Sequence, residues 1–406
     1  MRPPIVLTEY APSAPLDLTV TERDALRGLV PNLTIEPIAG STDTYRITGG
    51  SSVGVVRVGD LTIEFRPKIG IAPLLFLISY TLNPKAWRQS QAELAPDTNL
   101  AEAIVPLFGR TAQAALQQGL IHGYRTQQDT LPTIRGRVRM ADQMRTRTGL
   151  PMPIEVTYDD FTPDILENRL LHTAVDILGR LRLRHQTSRL ALARLHQQLV
   201  GIGNITVDGR PVPEPVWTRL NERYRPVVSL ARLIVTTAGL ASQAGGIDAS
   251  AFIVDMNAVF EGFVRAAMRE QLRLDTHAFP PGASGRRIYL DTGRFVPLKP
   301  DLSWWVGGQC VFAGDCKYKR PSNTVPNADI YQMFAYLTAL QLPEGLLIYA
   351  PGEDIPPDVV IEQAAKRIQV QTLDVSKAPD QILEQVKALS KRARHIAVSS
   401  SVRSFP

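Results

Sequence analysis

Cysteine is scarce in this 406-residue chain, which has two, Cys310 and Cys316. Placed on one strand they stand about 20 Å apart at ~3.3 Å per residue, far beyond disulfide reach. Two thiols with no histidine nearby do not build a zinc site, so both read as reduced core residues. The six histidines are scattered without H-E-x-x-H or triad-like grouping and are assigned no role. The longest apolar run, "IGIAPLLFLISYTL" at 69–82, falls short of the ~20 residues a membrane span needs and contains Pro73. The N-terminal "MRPPIVLTEYAPSAP" lacks the apolar core and cleavage site of a signal peptide. These absences predict a soluble cytoplasmic protein without a membrane partner.

What is present is ordinary for a globular chain: 44% hydrophobic and 21% charged residues. The length suggests two or three domains at ~100–200 residues each. A net charge of +6 permits a polyanionic partner without requiring one.

Residues 1 to about 70 alternate apolar and polar positions in short runs, with Gly59-Asp60 as a hairpin-type turn. One early helix is predicted at "TERDALRGLV", with Thr21 as its cap. Helices follow at 71–82 and 100–120, and "LPTIRGRVRMADQ" returns to strand. From about 164 to 245 helical spacing dominates, starting after Pro163 with Asp164 as a cap. Gly245-Gly246 is the best internal boundary. Beyond it the pattern is mixed α/β: a helix over 252–272, several strands, and a helix at "NADIYQMFAYLTAL". The predicted divisions are a β-rich N-terminal domain with helices (1–160), a helical central region (161–248), an α/β domain (249–395) and a flexible tail (396–406).

The chemistry concentrates in "KPDLSWWVGGQCVFAGDCKYK". Gly307-Gly308 marks a hairpin, and a three-residue loop at 307–309 sets Asp301 directly opposite Asp315. Asp315 and Lys317, two apart, then share a face, while Leu302, Trp304, Phe312 and Cys316 point to the core. A two-residue turn would instead send the two carboxylates to opposite faces. Facing carboxylates repel unless a cation lies between them, and such a pair suits Mg²⁺. The plain alternative is a surface salt bridge across a hairpin. Two additions bear on it. Glu261 edges an apolar helical stripe in "DMNAVFEGFVRAAM", and Gln332 and Tyr336 share a helix face at i and i+4. Each also has a plainer reading, a solvated flank and an amphipathic helix.

The order Glu261, Pro300-Asp301, Asp315-Cys316-Lys317 and Gln332-x-x-x-Tyr336 resembles the PD-(D/E)xK nuclease superfamily, in its Q-x-x-x-Y branch. "MNAVFEGFV", "GDCKYK" and "DIYQMFAYL" look like the nuclease domain of the McrC family, the cleavage subunits of McrBC-type modification-dependent restriction systems. "VGDLTIEFRPKIG", "GLIHGYRTQQDTLPTIRGRVRM" and "YDDFTPDILENRLLHTAVDIL" extend the similarity upstream over most of the chain. The resemblance implies a restriction-endonuclease-like C-terminal domain around a central mixed sheet. It implies that Glu261, Asp301, Asp315 and the Cys316 main-chain carbonyl ligate Mg²⁺, with Mn²⁺ as a substitute. Lys317 orients or activates the water, and Gln332 and Tyr336 support the site. It implies a hexameric McrB-like AAA+ GTPase as partner, docked on the N-terminal region and stimulated by it, and double-stranded DNA with modified cytosine as substrate. No G-x-x-x-x-G-K-[ST] loop occurs here, so the motor belongs to another chain.

Two arginine runs, five in "RGRVRMADQMRTR" (135–147) and four in "RLRLRHQTSR" (180–189), are candidates for tracking a DNA backbone. Their plainer reading is the solvated face of strands and helices. Two rival functions stand beside the McrC-type reading: a stand-alone repair or recombination nuclease, and a non-catalytic activator of the GTPase.

Overall fold

A computed structural model describes residues 2–82, 84, 100–146, 152–181, 183, 185–206, 211–239, 249–280, 287–319, 324–350 and 357–403. Gly245-Gly246 and Pro321 lie outside the described residues, as do Arg147, Arg182 and Arg184 of the two basic runs.

The N-terminal part contains β1 (Ile5–Thr8), β2 (Leu16–Asp17), α1 (Val20–Leu29), β3 (Thr34–Pro37), β4 (Thr44–Thr48), β5 (Ser52–Val58), β6 (Leu61–Arg66) and α2 (Ile71–Leu82). The middle contains α3 (Leu100–Leu116), β7 (Gly123–Leu131), β8 (Arg137–Val138), α4 (Met140–Thr146), β9 (Ile154–Thr162), α5 (Leu166–Arg180), α6 (Gln186–Gln198) and α7 (Arg225–Gly239). The C-terminal part contains β10 (Ala249–Asp255), α8 (Met256–Leu272), β11 (Ile288–Tyr289), β12 (Pro297–Leu298), β13 (Leu302–Val306) and β14 (Gln309–Lys317). It ends with α9 (Asn327–Ala339), β15 (Glu344–Tyr349), β16 (Val359–Ile361), β17 (Lys366–Thr372) and α10 (Pro379–Arg403). The class is mixed α/β, with several sheets and ten helices among the described residues.

Two compact units result, Met1–Leu100 together with Ile253–Pro406, and Ala101–Phe252. This division cuts the chain elsewhere than the serial boundaries read from the sequence. Composition changes along a chain register segments but cannot show that a first and a last segment fold against each other.

In the first unit, sheets run in the orders β1-β6-β5-β10 and β2-β4-β3. β5 and β6 are joined by the expected Gly59-Asp60 turn, with Gly59 at φ +57°. α1 starts two residues earlier than read: Thr19 is the cap, accepting from the Glu22 N–H while the Glu22 carboxylate takes the Thr19 N–H, a reciprocal box. Residues 252–255, read as helix, are the end of β10. Phe252, Ile253 and Val254 are buried β-formers, and Asp255 closes the strand by capping α8 through the Asn257 N–H.

The sheet that matters for the site has five strands in the order β13-β14-β15-β17-β16. β14, β15 and β17 are parallel, and the edges β13 and β16 are antiparallel. α9 covers one face, where Ala313, Leu347, Tyr349, Ile368 and Val370 pack with its Met333, Tyr336 and Leu337. α8 and α10 pack on β14 and carry apolar rows of their own. The expected tail at 396–406 is instead helical as far as Arg403, since Ile396, Ala397 and Ser400 are buried.

The second unit holds the sheet β7-β9-β8 and helices α5 to α7. Asp164 does not cap α5: Ile165 occupies that position without a side-chain cap bond. The Asp164 carboxylate accepts from the Gly203 N–H and pairs with Arg125 instead.

Candidate functional site

The turn between β13 and β14 has two residues, not three. Gly307 (φ +56°) and Gly308 (φ +90°) both adopt left-handed backbone, which closes a tight hairpin and pairs Val306 with Gln309. Such a turn alone separates the two carboxylates across the sheet. A β-bulge corrects it. The ladder pairs Trp305 with Cys310 and then Trp304 with Phe312, leaving Val311 unpaired. Trp305 N–H donates to Ala278 O at 2.8 Å. Beyond the bulge Leu302 faces Gly314, so Asp301 and Asp315 come opposite each other after all.

Asp301 lies just before β13, and the Cys316 N–H donates to its Oδ2 at 2.8 Å. Asp315 is 1% exposed. Lys317 Nζ stands 2.7 Å from Asp315 Oδ2, an ion pair in which the acid is almost fully buried. Lys317 also donates to Gln332 Oε1 at 2.7 Å, Gln332 Nε2 donates to Tyr336 Oη at 3.0 Å, and Tyr336 donates to Lys299 O at 3.1 Å. One chain of bonds thus runs from the strand lysine through α9 to the backbone before Asp301.

The charges are strained against each other. Burial first, then the charges of Asp315 and Glu261, push the Asp301 carboxyl up to about 8. Burial also raises Asp315, although Lys317 works the other way. Burial works to lower Lys317, but Asp315, Asp329 and Asp301 outweigh it and its pKa rises, which keeps the ammonium charged. Burial and the charges of Asp315 and Asp301 raise the Tyr336 phenol. Burial carries the Cys316 thiol well above its usual value, so the thiol is inert core while the main chain serves the site.

Glu261 behaves differently from the expectation that it joins the two aspartates. Its Oε1 accepts from Arg265 Nη1 at 2.6 Å, and the same nitrogen reaches Asp301 O at 3.4 Å. Among the described residues, Glu261, Asp301 and Asp315 do not bring three ligand atoms within 4.8 Å of one another. Arg265 was missed from the sequence, although its i,i+4 spacing from Glu261 is the readable signal. Asp329 was also missed. It is buried in the first turn of α9, 2.7 Å from Lys319 Nζ and 2.5 Å from the Tyr349 hydroxyl. Nothing in the sequence distinguishes it from a solvated first-turn acid.

The donor set around Asp301 and Asp315 is all oxygen, with two acids held above their normal pKa. This fits a hard divalent cation and does not fit a soft one.

Three arginines of the first basic run have acidic partners. Arg135 pairs with Asp160, Arg139 with Asp142 and Glu155, and Arg145 with Asp142.

A family model for the McrBC 5-methylcytosine restriction system component matches residues 47–350. Among solved structures, a chain is similar over 95% of this chain and 99% of its own, with 18% identity and a TM-score of 0.54. It comes from the refined half-complex of a tetradecameric assembly of Thermococcus gammatolerans McrB AAA+ hexamers with bound McrC. A chain of the Thermococcus gammatolerans McrBC complex, solved by cryo-EM, is similar over 66% of this chain and 88% of its own, with 22% identity and a TM-score of 0.40. No curated protein matches the sequence. The chain belongs to the family of McrBC 5-methylcytosine restriction system components.

Proposed function

We propose that this McrBC-family chain is the DNA-cleaving, McrC-type component of its system, a Mg²⁺-dependent endonuclease with a PD-(D/E)xK site. The observation that carries the reading is the facing pair of half-buried Asp301 and buried Asp315 beside Lys317, itself held by Gln332 and Tyr336. Asp301 and Asp315, with the Cys316 main-chain carbonyl, would hold the cation, and Glu261 would join them if Arg265 released it. The bound Mg²⁺, or Mn²⁺ in its place, supplies Lewis acidity and lowers the pKa of a water. Lys317 would orient the attacking water and balance the negative charge that develops at the scissile phosphate. Gln332 and Tyr336 fix the lysine's direction, and Asp315 keeps it protonated.

The partner is a McrB-like hexameric AAA+ GTPase, the kind of assembly named for the similar McrC-containing structure, and the substrate is double-stranded DNA carrying modified cytosine. The N-terminal region docks on that ring and stimulates its GTPase activity.

The test uses the full chain with its partner GTPase, GTP, Mg²⁺ and methylated duplex DNA. Asp315→Asn should abolish cleavage while partner binding and GTPase stimulation persist. Cleavage by Asp315→Asn, or cutting by the chain alone without nucleotide, overturns the reading.

A further inference from the structure

The histidines, silent in the sequence, are not silent in the fold. His172 and Asp176 lie one turn apart on α5, and His196 comes from the neighbouring α6. His196 Nδ1 is 3.4 Å and His172 Nε2 is 3.8 Å from the same oxygen, Asp176 Oδ1. One ligand atom from each of the three residues lies within 4.8 Å of the other two, and the imidazole rings are 5.2 Å apart.

From this geometry we propose a second metal site, formed by His172 Nε2, Asp176 Oδ1 and His196 Nδ1, that takes a divalent transition metal of the Zn²⁺ type. The distances favour it. Bonds of about 2.0–2.1 Å in a tetrahedral site set neighbouring ligands roughly 3.3–3.4 Å apart. One edge already has that length, a second is close to it, and His196 is exposed enough to turn inward and close the third.

The carboxylate is also aimed. Asn204 Nδ2 donates to Asp176 Oδ2 at 2.7 Å, which leaves Oδ1 turned toward both imidazoles. Asn204 is held in turn by the Thr173 hydroxyl at 3.3 Å and, through its carbonyl, by Arg169 at 2.6 Å. An outer residue that fixes a ligating carboxylate is a recurrent feature of metal centres. Among the described ion pairs, Asp176 has no lysine or arginine partner. Two imidazole nitrogens and one carboxylate suit Zn²⁺, Co²⁺ or Ni²⁺ and disfavour Mg²⁺. The site is therefore chemically distinct from the acidic pair and does not depend on the nuclease reading. With three protein ligands it keeps an open position for water, and it ties α5 to α6.

The test is a Co²⁺ titration of the full chain in excess Mg²⁺, followed by visible absorption. The expected result is the intense spectrum of four- or five-coordinate Co²⁺, saturating at one equivalent and erased by Zn²⁺. His196→Gln, at an exposed position, should weaken the affinity at least about tenfold. Asn204→Ala should weaken it by roughly ten- to a hundredfold. Only the weak spectrum of hydrated Co²⁺, or a spectrum unchanged by His196→Gln, overturns the proposal.

Discussion

Glu261 and Arg265, one turn apart on α8, form an ion pair of 2.6 Å, and the same guanidinium nitrogen leans on the backbone carbonyl of Asp301. The pair holds Glu261 away from the two aspartates that its charge acts on. Arg265→Met should free the carboxylate. The expected outcome is a lower Mg²⁺ concentration for half-maximal cleavage, by a few-fold, the scale of a partly exposed ion pair. A Mg²⁺ titration of cleavage rate checks it, and a higher requirement would show that Arg265 supports the site instead.

Asp301 gives a pH dependence with a definite sign. Its folded pKa, about 8, lies above the ordinary 3.8. Below pH 4 both folded and unfolded chains hold the proton. Between about 4 and 8 the unfolded chain releases it while the folded chain retains it, so stability falls as pH rises, by up to ~1.4 kcal/mol per pH unit. Urea unfolding without divalent ions should show this decline. Asp301→Asn should flatten it and leave the protein more stable at pH 8 than the parent. Mg²⁺ should flatten it in the parent only.

Cleavage and stability therefore part company at this residue. Asp301→Asn should lose about a thousandfold or more in cleavage, the several kcal/mol that a metal supplies. Gel assays on methylated duplex with the partner GTPase measure it. Parent-like cutting would remove Asp301 from the site.

On the proposed reading, the relay behind Lys317 is a positioning device. Tyr336→Phe removes the hydroxyl that accepts from Gln332 and donates to Lys299 O. Cleavage should drop about ten- to a hundredfold, the usual cost of losing an outer partner, with unchanged DNA binding. A drop in binding alone would point to a structural role.

Tyr318, directly after Lys317, donates to the buried Glu9 carboxylate at 2.9 Å, and Tyr10 donates to Tyr318 O at 3.2 Å. The N-terminal strand region is thereby bonded to the end of the site strand. Tyr318→Phe should cost about 1.5–3 kcal/mol, the range for a hydrogen bond to a charged group, read as a shift of the urea midpoint. No shift would mean that Glu9 is held by its other partners.

The sequence showed the faces and spacings of the candidate residues better than the architecture around them, and the reasons are physical. Strand alternation is local, so Asp315, Cys316 and Lys317 could be assigned faces from their spacing. Gln332 and Tyr336 followed from helical spacing for the same reason. Glu261 was found as a residue but not in its state, because that depends on Arg265 competing for it. Phe252–Asp255 defeated the helix reading because an apolar run entering a helix looks like the helix itself until a partner strand claims it. His172 and His196 are 24 positions apart, and only the packing of two helices makes them neighbours. Glu9 and Tyr318 lie 309 positions apart, and no periodicity reports such a contact.

The unpaired Val311 also has a consequence for how this hairpin tolerates change. Facing acids at 301 and 315 require an odd number of intervening residues to be left out of the ladder. Here two sit in the turn and one in the strand. Moving the third into the turn gives a three-residue loop and the same facing pair. The hairpin thus carries a phase that must be kept somewhere between Trp304 and Phe312, but its position is free. Substitutions at Gly307 or Gly308 can reshape the tip by letting the odd residue migrate, while the side of the sheet reached by both acids stays fixed.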